Sequence, residues 1–119
     1  MNMPAVHAYL TPYELGNQNQ TTEWHSCIAF YEKLAADFPH ILRFQQIGMS
    51  DSGLPMHAGV ITADGVFDRD SLKAAGRPVF FNNNGIHPGE PEGIDSCMAL
   101  VRDFCLQPER LAALEASVF

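Results

Sequence analysis

Between Phe80 and Gly93 the sequence reads FFNNNGIHPGEPEG, which places an imidazole, His87, and two carboxylates, Glu90 and Glu92, among prolines and glycines. An imidazole and a carboxylate three residues apart can face one point if the turn between them is tight, and mixed nitrogen and oxygen donors suit Zn²⁺. Pro88 restricts the backbone, while Gly89 permits a conformation that other residues resist. Such a turn would hold both side chains in fixed relation, as a metal site requires before its substrate arrives. A competing reading is a polar loop in which His87 and Glu90 only cap the next helix, where Glu90 would gain roughly 0.3–1 kcal/mol from the helix dipole. Spacing alone does not separate the two, because His-x-x-Glu is short and common by chance. Glu92 reads as a first-turn acid of that helix and not as a further ligand.

The elements around this loop follow from apolar periodicity. Pro78-Val-Phe-Phe81 is a compact apolar run that predicts a buried strand. After the loop, Ile94, Cys97, Met98, Val101, Phe104 and Cys105 keep helical spacing, which predicts a helix from about Pro91 to Leu106. Strand, loop at its carboxyl end and helix is the order in which open α/β sheets place ligand sites. Upstream, Trp24, Cys27, Ile28, Tyr31, Leu34, Ala35 and Phe38 predict an amphipathic helix with Thr21 or Thr22 as N-cap, ended by Pro39. Ile41–Ile47 and Met56–Thr62 read as an antiparallel hairpin turning at Ser50-Asp51-Ser52-Gly53. Residues 64–77 suggest a loop with a short surface helix, and Pro108 opens a short helix to about Ala116. Val118-Phe119 reads as the beginning of a strand. The expected organisation is an extended arm over residues 1–20 and one α/β domain over 21–119, with a mixed sheet of hairpin plus buried strand flanked by helices.

Composition narrows the function classes. A chain of 119 residues with 46% hydrophobic content holds one core. A net charge of −7, from fourteen acids against seven scattered bases, argues against a nucleic-acid partner. No apolar run approaches the roughly 18 residues of a membrane span. The amino-terminal residues lack the basic and apolar regions of a signal peptide, which leaves localisation open. Cys27, Cys97 and Cys105 show no CxxC spacing and read as free thiols.

The string Gly85-Ile-His-Pro-Gly-Glu-Pro-Glu-Gly93, between an apolar strand and an amphipathic helix, resembles the first zinc-binding motif of the zinc metallocarboxypeptidase family. Other pieces agree in order: a leading helix ending LAADFP, then QQIGMSDSGLPMHAGVI, then RPVFFNNNGIHPGE. The resemblance covers about residues 11–119. It implies a carboxypeptidase-like α/β fold, Zn²⁺ as cofactor, His87 and Glu90 as zinc ligands, and peptide C-termini or cell-wall-type peptides as substrate.

In that family a second His downstream, a clamp for the substrate carboxylate and a late Glu complete the site, and none has a matching position here. No motif selects His7, His25, His40 or His57 as a third ligand. The expectation is therefore the amino-terminal part of a longer catalytic domain that binds zinc weakly and is inactive by itself. Two alternatives stay open. One is a zinc deacylase akin to the succinylglutamate desuccinylase and aspartoacylase group, and the other is a non-catalytic binding module of the same fold.

Overall fold

A computed structural model describes residues 6–115 and 117–119. The two strand-like runs after Pro39 form the expected hairpin, β1 Leu42–Met49 and β2 Pro55–Ile61, paired antiparallel from Leu42 opposite Ile61 to Met49 opposite Pro55. Gly53, at φ 81°, makes the turn, where a side chain would be strained. A register shift between Gln46 and Gly48 leaves Ile47 unpaired, so the hairpin tip exposes Ile47, Met49, Leu54 and Met56.

Two long helices pack against each other, and the first of them also against β1. The leading helix spans Trp24–Asp37 and the helix after the His87 loop spans Glu92–Leu106. Leu34 from the first and Val101 and Cys105 from the second meet Leu42, Ile61 and Leu114 in one core cluster. Tyr31 stacks on Phe44 at 5.3 Å, and Phe44 on His57 at 5.0 Å, which continues the core along the hairpin as an aromatic row.

Numbered along the chain, the helices are α1 Pro12–Leu15, α2 Trp24–Asp37, α3 Arg69–Ala74, α4 Glu92–Leu106 and α5 Pro108–Leu111, followed by a 3₁₀ turn Ala112–Leu114. The hairpin and helices make a mixed α/β architecture, as the sequence pattern implies. The expected end of the last helix at Ala116 lies outside the described residues, as do residues 1–5 of the expected arm.

Three local expectations are corrected. The amino-terminal segment is not simply extended, because Pro12–Leu15 is a helical turn closed by a capping box between Thr11 and Glu14. Neither Thr21 nor Thr22 caps α2, which starts at N-cap Glu23 without a side-chain bond. Both threonine hydroxyls donate instead to Asp95 on α4, at 3.2 and 2.5 Å, strong bonds to a charged acceptor that orient the side chains toward α4.

The third correction concerns Pro78–Phe81, expected to be a buried strand. It is extended but joined by a single parallel bridge, Val79 to Val118, and Phe81 is 87% exposed. Its backbone bonds run to one side only: Phe80 N donates to Val118 O at 2.8 Å and Val118 N to Pro78 O at 3.0 Å. Val79, Phe80 and Phe81 are all exposed, so an apolar run that could be buried is not. Val118-Phe119 does begin a strand-like pairing, for Phe119 and Ile61 exchange backbone bonds at 2.6 and 3.1 Å.

Candidate metal centre

The chain leaves the bridge at Val79, passes three asparagines and reaches Gly85 at φ 66°, a left-handed conformation that only glycine adopts without strain. Gly89, at φ 88°, turns the chain again between His87 and Glu90. The result is convergence: His87 Nδ1 lies 3.0 Å from Glu90 Oε1 and 3.2 Å from Oε2. A carboxylate only accepts, so in this arrangement Nδ1–H donates to it. Both side chains are open to solvent, His87 at 72% and Glu90 at 53% exposure, so a solute can reach them.

Contacts at the base of the loop fix its two ends to each other. Asn82 Nδ2 donates to Cys97 Sγ on α4 at 3.3 Å. A Cβ placed on Gly85 would lie 2.7 Å from Ile94 Cδ1, and one on Gly93 would lie 2.8 Å from Asn84 Oδ1. Glycine at both positions therefore permits the strand side and the helix side to approach closely.

The helix that receives the loop is itself anchored. Asp95, in its first turn, accepts from the Thr22 amide at 3.2 Å as well as from the two threonine hydroxyls, which ties the start of α4 to the segment before α2. One helical turn and more beyond, Arg102 is 5% exposed and its Nη1 donates to both carboxylate oxygens of Glu14, at 2.8 and 2.6 Å. Asp103 accepts from Arg102 Nε at 3.1 Å. Partial burial works against the Glu14 charge, but the Arg102 hydrogen bonds and charge and the Thr11 amide outweigh it and hold the carboxyl below its usual range. Between the long helices, burial pushes the Cys27 thiol up to about 11, with Cys97 and Asp95 adding to the effect. Burial pushes the Cys105 thiol up to about 12.

The remaining histidines lie elsewhere in the fold. His25 sits beside Glu23 at 3.4 Å, His57 is stacked in the aromatic row, His40 precedes β1 with its carbonyl against Gly65, and His7 is in the amino-terminal segment. Among the described residues no group of three or more His, Cys, Asp or Glu side chains could hold a metal ion. His87 and Glu90 thus bring one imidazole and one carboxylate together, donor types that zinc accepts. Glu92 lies in the first turn of α4, as its sequence position predicts. A depression of about 570 Å³ between α3 and the carboxyl-terminal segment is lined by Asp64, Ser71, Leu72, Arg77 and Glu115 among others, and includes no residue of the loop. Within it Arg77 Nη1 donates to both Asp64 oxygens at 2.9 Å, while the buried Arg77 Nε has no partner among the described residues. Among the described residues no helix is long and apolar enough to cross a membrane.

Asn82, Asn84 and Gly93 are the positions that sequence reasoning passed over. Their only visible signal was the unusual asparagine triplet and a glycine inside the first turn of a helix.

A family model described as zinc carboxypeptidase matches residues 27–116, a span that runs from α2 through the hairpin, the His87 loop and α4. No curated protein and no solved structure matches the chain.

Proposed function

The chain belongs to the zinc carboxypeptidase family, and from that premise we propose that His87 and Glu90 supply two ligands of a zinc site serving peptide hydrolysis. The observation that carries this reading is the approach of His87 Nδ1 to within 3.0 and 3.2 Å of both Glu90 oxygens on a solvent-open loop. A helix-capping role would instead turn Glu90 toward the first amides of α4, whose N-cap, Pro91, carries no side-chain bond.

When bound, zinc supplies Lewis-acid polarisation of a carbonyl and a lowered pKa for water. The contribution of this chain is to hold the two donors side by side, and ligation through His87 Nδ1 would release the proton it donates to Glu90. Pro88 and Gly89 hold the two side chains together before any metal arrives. The openness of the loop suits an extended peptide, with peptide C-termini or cell-wall-type peptides as the substrate class.

Two ligands set the expected strength. Four-ligand structural sites reach about 10–16 kcal/mol, so half a set is worth about 5–8 kcal/mol, a dissociation constant between about 10⁻⁴ and 10⁻⁶ M. Titrating ¹⁵N-labelled chain with zinc chloride, followed by NMR, should move the His87 ring and Glu90 signals in this range. His87→Ala and Glu90→Gln should each abolish the response. Zinc shifts centred on Cys97 or His25, with His87 unmoved, would sink the proposal.

A further inference from the structure

The loop bearing His87 and Glu90 has a neck in which the asparagine segment meets the start of α4. Asn82 and Asn84, two apart in the chain, both contact α4. Gly93 and Cys97 are four apart on α4 and share a face, about 6 Å from each other along the axis. The two intervals meet in antiparallel order: Asn82 donates to Cys97 Sγ at 3.3 Å, and Asn84 rests on Gly93. Gly85 against Ile94 lies beside this second contact. Ile86–Pro91 forms the arch between the neck and the start of α4.

Gly93 is an odd occupant of its place. It is the second residue of a fifteen-residue helix, where alanine is intrinsically the better helix former. Its dihedral angles are helical, so backbone freedom does not require glycine there. What requires it is space, because a Cβ would stand 2.8 Å from Asn84 Oδ1 and 3.2 Å from Asn84 Cγ. Asn84 is short and side-chain rotation can relieve that clash, so a methyl group here expels Asn84 without breaking the helix.

We propose that Asn84 and Gly93 are positioning residues that close the neck and thereby hold His87 and Glu90 at ligand spacing. The proposal rests on the reading of that pair as zinc ligands for its functional consequence, but the closure itself is a property of the metal-free chain. Asn82 with Cys97 is the second latch of the same neck.

The test has one readout without metal and one with it. In ¹H–¹⁵N spectra of the His87 ring, Gly93→Ala and Asn84→Ala should each lose the Nδ1–H signature of the bond to Glu90, while core methyl signals of Leu34 and Val101 stay in place. In zinc titrations the same variants should bind roughly tenfold or more weakly, as supporting contacts behind metal ligands typically do. The double variant should be no worse than either single change, since once Asn84 is truncated the alanine meets nothing closer than its Cβ at 3.4 Å. Asn84→Asp, which keeps the shape, should retain the ring signature.

Retention of the pairing in Gly93→Ala, additive losses in the double variant, or damage from Asn84→Asp equal to that from Asn84→Ala would each overturn the neck. A wild-type chain whose His87 ring shows the bond but ignores zinc would refute the metal reading instead, and leaves the neck judged by the ring signal.

Discussion

Replacing Glu14 with glutamine tests how the amino-terminal segment is held to α4. The glutamine keeps the shape but removes the charge facing Arg102, which is 5% exposed and receives Glu14 at 2.6 and 2.8 Å. Removing one partner of a fully buried pair costs about 3–5 kcal/mol. Here the loss is smaller, because Glu14 keeps 28% side-chain exposure and Asp103 still faces the guanidinium, so about 2 kcal/mol is expected, near the value of a charged hydrogen bond. For a domain of this size that lowers the melting temperature by roughly 8 °C at neutral pH.

The pH dependence fixes the cause. The folded-state pKa of Glu14 is depressed below its ordinary 4.5, so its contribution is fully present above that value and is lost as pH falls through the folded pKa. Urea unfolding of wild type and Glu14→Gln should therefore differ by about 2 kcal/mol at pH 7 and converge well below pH 4. A gap that persists at low pH, or a gap under about 0.5 kcal/mol at pH 7, would refute the argument that this charge is what holds the segment.

Further outcomes follow from other contacts. Asp95→Ala removes an acceptor of three hydrogen bonds from Thr21 and Thr22 and should cost about 2–3 kcal/mol in chemical denaturation. Unchanged stability would mean the threonines find water instead. Leu34→Ala, at a side chain with 0% exposure in the central cluster, should cost about 2–5 kcal/mol, and a loss below 1 kcal/mol would show that the site collapses. Thiols held up to about 11 at Cys27 and about 12 at Cys105 leave roughly a thousandth and a ten-thousandth as thiolate at pH 8. Both should react with an aromatic disulfide far more slowly than in urea, and equal rates in the two conditions would contradict their burial.

What was legible in the sequence was what periodicity and turn chemistry encode locally. The hairpin, α2 and α4 follow from apolar spacing, and α4 begins at Glu92 beside the expected Pro91. The His87 and Glu90 approach was inferable because only Pro88 and Gly89 intervene, one restricting the backbone and the other permitting the turn. Partners distant in the chain were not legible. Thr22 is a good N-cap residue by type, yet Asp95, 73 positions away, takes its hydroxyl. Arg102 looks like a solvent-facing base on an amphipathic helix, and only the folded arm shows it to be nearly buried under Glu14. Pro78–Phe81 illustrates the converse: an apolar run states a capacity for burial, but the neighbour that would realise it must come from elsewhere in the fold.

The dipeptide Val118-Phe119 carries a consequence for cooperativity. Among the described residues, every backbone bond between the hairpin side and the segment leading to His87 passes through it, antiparallel to Ile61 and parallel to Val79. It works as a keystone between two pieces that do not otherwise pair. Loosening that seam should release the Phe80 and Ile61 amides to hydrogen exchange together, while amides in the middle of β1 and β2 stay protected. The hairpin would then persist as one unit, and the His87 loop would fluctuate with α4 as another.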